Sequence, residues 1–225
     1  LTDHAPLAAA LDRREPLLLL YIIEGDLLSD PHYTDRHWRF IIQSLNDINV
    51  ELGHLGAEIQ VLEGEPNSLL QLLHEHRPVK NLFSHQETGL GITFARDRRV
   101  AEFCRASGIN WVEFQTNGVQ RGRSNRHGWN RSWHQVMSAT EIPFDMKALA
   151  ALCTRLPASL TSAKTKRLHS WSNCKTRFQR GGPAEAASVL NSFLKTRAKG
   201  YHRHISKPES SRQFCSRLSP YLAWG

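Results

Sequence analysis

The front half of the chain alternates short apolar runs with longer amphipathic stretches. Its first apolar run, 17–23, is interrupted only by a tyrosine, which is typical of a strand buried on both faces. The predicted strands are 17–23, 58–62, 81–84 and 111–115, and the predicted helices between them are 35–55, 67–73 and 93–107. This alternation predicts an α/β fold, a Rossmann-like parallel sheet with helices on both faces.

Local signals indicate where several of these elements begin and end. Asn67 is predicted to cap the helix that it precedes, because its side-chain oxygen can accept a hydrogen bond from a free backbone N–H. A further helix is predicted at 183–197, and Gly200 is expected to end it.

The pattern also divides the chain. We predict an α/β domain at 1–135, a linker of mixed Ser, Thr and Lys character at 136–182, and the start of a helical domain at 183–225. Parallel α/β sheets bind ligands beyond the carboxyl ends of their strands. The residues expected there are 24–26, 63–65, 85–88 and 116–117.

Charge is distributed unevenly. Residues 151–225 contain 14 Lys and Arg against two acidic residues, whereas the first 150 residues contain 15 basic and 19 acidic ones. A basic back half suits a phosphate-bearing ligand or nucleic acid, although a solvated basic surface has the same composition. The arginines of 121–131 interleave with tryptophans; they could contact DNA or hold backbone carbonyls.

Cysteine use and hydropathy exclude other classes. The four cysteines are far apart and form no C-x-x-C motif, so neither a disulfide framework nor a metal site is predicted. We expect reduced thiols and a cytoplasmic protein. No apolar run approaches the roughly 20 residues of a membrane helix, and no signal peptide is visible.

The strongest chemical signal lies at the end of the chain, where residues 216–225 read SRLSPYLAWG. Ser216 and Ser219 offer hydroxyls and backbone N–H groups near a predicted helix start, and Arg217 adds a positive charge. This combination can hold a phosphate or pyrophosphate, but Ser-Pro before an apolar helix is equally typical of a structural cap.

The same ten residues closely resemble a signature of the photolyase/cryptochrome family, S-R-L-S-P-Y-L-x-[FW]-G. Other segments resemble the family's front half: LTDHAPL at 1–7, RHWRF at 36–40, FSHQETG at 83–89, ARD at 95–97, and NGV at 117–119 with GW at 128–129. The resemblance therefore extends over essentially the whole chain.

The resemblance implies a flavoprotein. In this family an α/β antenna domain precedes an all-helical FAD domain, and the signature binds the FAD phosphates. Carried over residue by residue, it assigns FAD contacts to Tyr201 and to the segment Cys215, Ser216, Arg217, Leu218 and Ser219. Glu87 is the candidate contact for a possible antenna chromophore, a folate or a deazaflavin. No catalytic residue is assigned. The implied partner is damaged DNA, and the protein is expected to be a monomer that does not associate with a membrane.

The chain also departs from the family pattern. Cys215 stands where the family often has Thr, so it is expected to contribute its backbone N–H rather than a hydroxyl. Leu90 follows Gly89 where Asn is frequent, and Ile205 stands where a basic residue is common. We further expect that a first mid-sheet strand is missing, and that the chain stops as the FAD domain begins.

Three functions follow as hypotheses. The first is a DNA photolyase, which repairs pyrimidine dimers by electron transfer from light-excited reduced FAD. The second is a cryptochrome, which uses the same scaffold for blue-light signalling. The third is a stand-alone nucleotide-binding α/β module, although the chain lacks a convincing glycine-rich phosphate loop. The chain as given is expected to be inactive and not to hold FAD tightly.

Overall fold

A computed structural model describes residues 3–173 and 178–224 of the chain. The ends of the resembling segments at 1–2 and 225, and part of the predicted linker at 174–177, lie outside the described residues. Contacts divide the chain into two compact units. The α/β unit comprises 1–29 and 53–165, and the helical unit comprises 30–52 and 166–225.

The elements follow one another along the chain with short connections. The first eight are α1 (Ala5–Asp12), β1 (Leu19–Ile23), α2 (Gly25–Ser29), α3 (Asp35–Gly53), β2 (Ile59–Glu63), α4 (Pro66–His76), β3 (Asn81–His85) and α5 (Gly91–Ala106). The later ones are β4 (Asn110–Phe114), α6 (Trp129–Met137), α7 (Met146–Leu152), α8 (Leu168–Ser172), α9 (Pro183–Ser192), α10 (Ala198–His204), α11 (Ser211–Phe214) and α12 (Ser219–Trp224). Short 3₁₀ turns lie at Ala158–Ala163 and Pro208–Ser210, and a π-helical turn at Phe193–Arg197.

All four predicted strands are present, and they pair in parallel. β1 pairs with β2, with Leu19 opposite Ile59, and β3 pairs with β4, with Asn81 opposite Asn110. Within 3–173 and 178–224 the strands form two separate two-stranded sheets. Helix α1 packs against β3 and β4. The sequence had predicted one sheet with a gap, and the pairing in the structure leaves the two pairs unjoined.

Apolar packing explains the second strand pair and its helices. Leu70 from α4 and Val100 and Cys104 from α5 form a buried cluster with Ile109. Val79, Leu82, Phe103 and Trp111 pack against this cluster. Because burial removes apolar surface from water, this cluster stabilises the arrangement that brings the strand ends together.

The start of α4 differs from the prediction. Glu65, not Asn67, is the N-cap, and its carboxylate accepts a hydrogen bond from the Ser68 N–H at 2.9 Å. Pro66 occupies the first helical position, where its missing N–H has no helical partner to lose.

The prediction that Gly200 ends a helix was wrong, since α10 continues through it to His204. A Cβ at Gly200 would lie 2.6 Å from a ring carbon of Phe214, closer than real Cβ atoms approach. Phe214 also stacks on His204, with ring centroids 3.8 Å apart. Glycine is therefore needed here for close packing of α10 on α11 rather than for a helix stop.

Stacked aromatic rings form part of the core of the helical unit. Tyr33 stacks on Trp38 with centroids 5.2 Å apart, and Trp38 stacks on Trp171 at 5.6 Å. The buried Trp171 donates from Nε1 to the Asp35 Oδ1 at 2.8 Å, so its polar atom is satisfied as well.

Candidate functional site

The first residues of the terminal signature, together with Cys215, join α11 to the start of α12, and we call residues 215–219 the 215–219 loop. The rest of the described signature forms α12. Arg217 in this loop has a φ of 59°, in the left-handed region that few non-glycine residues adopt. A strained conformation of this kind persists only where surrounding contacts hold it.

Two side chains hold carbonyls of this loop. Gln179 donates from Nε2 to the Arg217 carbonyl at 2.8 Å. Arg197 donates from Nη1 to the Cys215 carbonyl at 2.6 Å and from Nη2 to the Val189 carbonyl at 2.7 Å. The loop is therefore tied through its main chain to α9 and to the segment that precedes α9.

Three consecutive amides of the loop have no acceptor in the described part of the chain. Among residues 3–173 and 178–224, none accepts a hydrogen bond from the backbone N–H of Ser216, Arg217 or Leu218. All three residues are half-buried, and Ser219 is exposed. Consecutive N–H groups without acceptors, beside serine hydroxyls, are typical of segments that bind an anion such as a phosphate.

The structure places the other two predicted FAD residues differently. Tyr201 is half-buried on α10, and its ring packs edge-to-face on Phe193 with centroids 5.5 Å apart. The N–H of Cys215, expected to face the ligand, instead donates to the Ser211 carbonyl at 3.0 Å. It is the Cys215 carbonyl that takes part in the loop, through Arg197; a flavin contact by either residue stays a prediction.

Tyr221 anchors the helix that follows the loop. Its hydroxyl donates to the Arg180 carbonyl at 2.8 Å, and its ring packs on Phe40 at a centroid distance of 5.0 Å. Burial raises the pKa of the Tyr221 hydroxyl, so it stays protonated and able to donate at neutral pH. This contact connects α12 to α3 within the helical unit.

A second polar cluster, the strand-end network, lies in the α/β unit. Its members are Glu24 after β1, Glu87 after β3, Glu113 in β4, and Arg96, Asp97 and Arg121. Arg96 contacts Glu24 at 2.9 Å, Asp97 at 2.9 Å and Glu87 at 3.4 Å. Arg121 contacts Glu113 at 2.5 Å and Asp97 at 3.7 Å.

The two arginines do not fully compensate four carboxylates. Burial raises the pKa of Glu24, which is only 8% exposed, although Arg96 opposes this shift. Burial likewise raises the pKa of Asp97 against the effect of Arg96. One oxygen of Glu113 is buried without a hydrogen-bond partner. The network is therefore held by arginine charge in a partly desolvated setting.

Glu87 lies at the accessible side of this network. Its Oε1 accepts from the Gly89 N–H at 2.5 Å, its Oε2 faces Arg96, and its side chain is 26% exposed. A shallow, open depression of about 400 Å³ lies at the carboxyl ends of β3 and β4. Its lining residues are Gln86, Gln115, Gln120, Arg121, Gly122 and Arg123.

The strand ends also include a histidine pair. His4 and His85 meet edge-to-face with centroids 4.7 Å apart. Burial, followed by repulsion from His85, lowers the pKa of His4 to about 4. Its Nδ1 accepts from the Leu7 N–H at 3.1 Å and so caps α1, which requires the neutral ring.

Sequence reasoning found the loop and the strand ends but missed the residues that hold them. Arg96 was noted only as part of a resembling segment, and neither Arg197 nor Gln179 carried any signal. Of the arginines at 121–131, Arg123 donates to the Asn125 carbonyl, as the structural alternative expected, whereas Arg121 pairs with the Glu113 carboxylate, which neither alternative expected. DNA contact by Arg126 or Arg131 stays a prediction.

The described part of the chain contains neither a cluster of metal ligands nor a membrane-spanning helix. No group of three or more His, Cys, Asp or Glu residues there could hold a metal ion. None of its helices combines the length and apolar character that crossing a bilayer requires.

Solved structures of photolyases and a cryptochrome share this fold. An archaeal photolyase from Sulfolobus tokodaii, crystallised with two FAD molecules, covers the whole chain with a TM-score of 0.71 at 19% identity. A class III photolyase from Agrobacterium tumefaciens also covers all of it, with a TM-score of 0.72 at 18% identity. A cryptochrome from Synechocystis covers 99% of it, with a TM-score of 0.72 at 15% identity. These likenesses confirm the α/β fold, with short parallel strands and helices on both sides.

Sequence comparison agrees with the fold. Cryptochrome-2 of Gallus gallus is 21% identical over the whole chain, which spans 42% of that protein, and the chain spans 48–50% of the three solved structures. The family model described as DNA photolyase matches residues 1–121, more than half of the sequence. By that match, the chain belongs to the DNA photolyase family, which also includes the cryptochromes.

Proposed function

We propose that this chain provides the antenna-type α/β unit and the opening of the FAD site in a light-driven DNA photolyase. The observation that carries the proposal is the 215–219 loop, with three adjacent amides that have no acceptor among the described residues. The N–H groups of Ser216, Arg217 and Leu218 would bind the FAD diphosphate, and the hydroxyls of Ser216 and Ser219 would add to them.

The positive charge around the loop supports a dinucleotide ligand. Arg197 and Arg217 contribute two guanidinium groups, and residues 151–225 have only two acidic residues to oppose them. A diphosphate carries negative charge that these groups attract, and the effect is larger where the loop is half-buried. When bound and reduced, FAD would supply the electron that splits a pyrimidine dimer in DNA.

Glu87 is the proposed antenna contact. Its side chain is partly exposed just beyond β3, and the neighbouring Gln86 lines the open depression at the strand ends. Its carboxylate could accept hydrogen bonds from the amino or ring N–H groups that a folate or a deazaflavin offers.

The test uses the complete product of the gene that encodes this sequence. We expect it to purify with flavin absorbance and to restore intact pyrimidines in dimer-containing DNA under blue light but not in the dark. Flavin binding without repair would favour the cryptochrome alternative. Binding of ATP with no flavin would contradict the proposal and favour the stand-alone nucleotide-binding module.

A further inference from the structure

Arg197 occupies an unusual place in its helix. It ends the π-helical turn Phe193–Arg197 that joins α9 to α10, and its guanidinium lies 5.8 Å from the Phe193 ring centre. Single π-helical turns inside α-helices are frequent at functional sites, because the additional residue redirects a side chain. Here the redirected side chain reaches the 215–219 loop.

The contacts of Arg197 are all to neutral groups. Its two terminal nitrogens donate to the carbonyls of Cys215 and Val189, at 2.6 and 2.7 Å. Its Nε is buried and has no hydrogen-bond partner among residues 3–173 and 178–224. Among the described residues no carboxylate lies within ion-pair distance of it. A half-buried arginine without a carboxylate keeps its full charge beside the loop.

The contacts to the two loop carbonyls also fix the direction of the N–H group that follows each carbonyl. In a trans peptide the C=O and the following N–H point in opposite directions, because the unit is planar. Arg197 holds the Cys215 carbonyl, so the Ser216 N–H points away from Arg197. Gln179 holds the Arg217 carbonyl, so the Leu218 N–H points away from Gln179.

We propose that Arg197, together with Gln179, is a positioning residue that sets the direction of the Ser216 and Leu218 amides for a diphosphate. The proposal rests on the proposed function, in which this loop binds the diphosphate of a dinucleotide. It adds that the loop is formed before ligand arrives, through contacts to its carbonyls from the opposite side. Preformed donors bind more tightly because less ordering is needed on association.

The test compares Arg197→Lys, Arg197→Met and Gln179→Ala in the ¹⁵N-labelled chain. Arg212→Met is the matched control, because Arg212 is an exposed arginine on the adjacent α11 and its loss changes the charge equally. Amide hydrogen exchange of Ser216 and Leu218 is measured in the free chain, and inorganic pyrophosphate is then titrated while the same two amide signals are followed.

Positioning predicts a graded result. Pyrophosphate binding should weaken about tenfold in Arg197→Met and less in Arg197→Lys, which keeps the charge and a single donor, while Arg212→Met stays within about twofold. Exchange at Ser216 should rise in Arg197→Met, and exchange at Leu218 in Gln179→Ala.

Two outcomes would overturn the proposal. Equal weakening in Arg197→Met and Arg212→Met, with Arg197→Lys unaffected, would show that only charge matters. Unchanged binding in a folded Arg197→Lys and Arg197→Met would show that the contacts serve stability alone. If the unsubstituted chain bound no pyrophosphate, the proposed function would fail instead, and the exchange data would still decide whether Arg197 orders the loop.

Discussion

Two arginines of this chain bind different kinds of polar group, one charged and the other neutral. Arg96 in the α/β unit contacts three carboxylates, Glu24, Glu87 and Asp97, whose combined charge exceeds its own. Arg197 in the helical unit donates to two neutral carbonyls and keeps its charge. The first arrangement stabilises charges that are already present. The second leaves a positive charge beside amides that have no acceptor among the described residues, and both are available to a ligand.

This difference separates stability from binding. Removing Arg96 should mainly destabilise the protein, because buried carboxylates lose their counter-charge. Removing Arg197 should cost less stability and mainly weaken binding at the 215–219 loop, because it deprives two neutral carbonyls, rather than charged carboxylates, of a donor. Three predictions, from the largest expected effect to the smallest, bear on this contrast.

The substitution Arg96→Met should lower the free energy of unfolding by roughly 3–5 kcal/mol, because it removes the counter-charge of partly buried carboxylates. Among the described residues, Glu24 loses its ion-pair partner, and Asp97 keeps only the 3.7 Å contact with Arg121. Chemical denaturation followed by circular dichroism measures this. Arg98→Met is the control, because Arg98 lies on the exposed side of α5. A loss no larger than that of Arg98→Met would show that the network contributes little.

The α/β unit should also lose stability in mild acid. The pKa of His4 is about 4 in the folded chain, against 6.5 when unfolded, so the unfolded chain binds an additional proton between those values. Stability is fully present above pH 6.5 and falls by about 1–3 kcal/mol as pH decreases to 4. Unfolding midpoints across this range measure it.

The substitution His4→Asn isolates that contribution, since asparagine can cap α1 but does not titrate. The raised pKa values of Glu24 and Asp97 act in the other direction, because protonation below their folded pKa relieves the burial of charge. The contribution of Glu24 and Asp97 is the same in the unsubstituted chain and in His4→Asn, so it cancels when the two pH dependences are subtracted. If the stability of His4→Asn depended on pH as strongly as that of the unsubstituted chain, His4 would not be the source of the pH dependence.

The substitution Glu87→Gln should cost less than about 1 kcal/mol. Its contact with Arg96 is long, at 3.4 Å, and Arg96 keeps Glu24 and Asp97. Thermal unfolding measures the stability, and fluorescence titration with a folate or a deazaflavin measures binding. A large loss of stability would place Glu87 with the structural carboxylates and argue against an antenna role.

Periodicity alone predicted the four strands and the α/β class, since these follow from local apolar patterning and chain order. The terminal signature indicated the loop from the sequence alone, because phosphate-binding chemistry concentrates hydroxyls and amides in a few consecutive residues. Expectations failed where a residue's role depended on a distant partner. Gly200 was interpreted as a helix end, whereas the Phe214 ring is what requires a glycine there.

What the sequence determined by itself is therefore the family, the positions of the four strands along the chain and the position of the candidate flavin loop. Only the tertiary structure showed that Arg96 contacts carboxylates from separate strand ends, and that Arg197 and Gln179 donate hydrogen bonds to carbonyls of the loop. Contacts of this kind join side chains to groups 18 to 72 positions away, and no local pattern encodes such pairings. They arise when the chain folds and brings charges and carbonyls within hydrogen-bond distance.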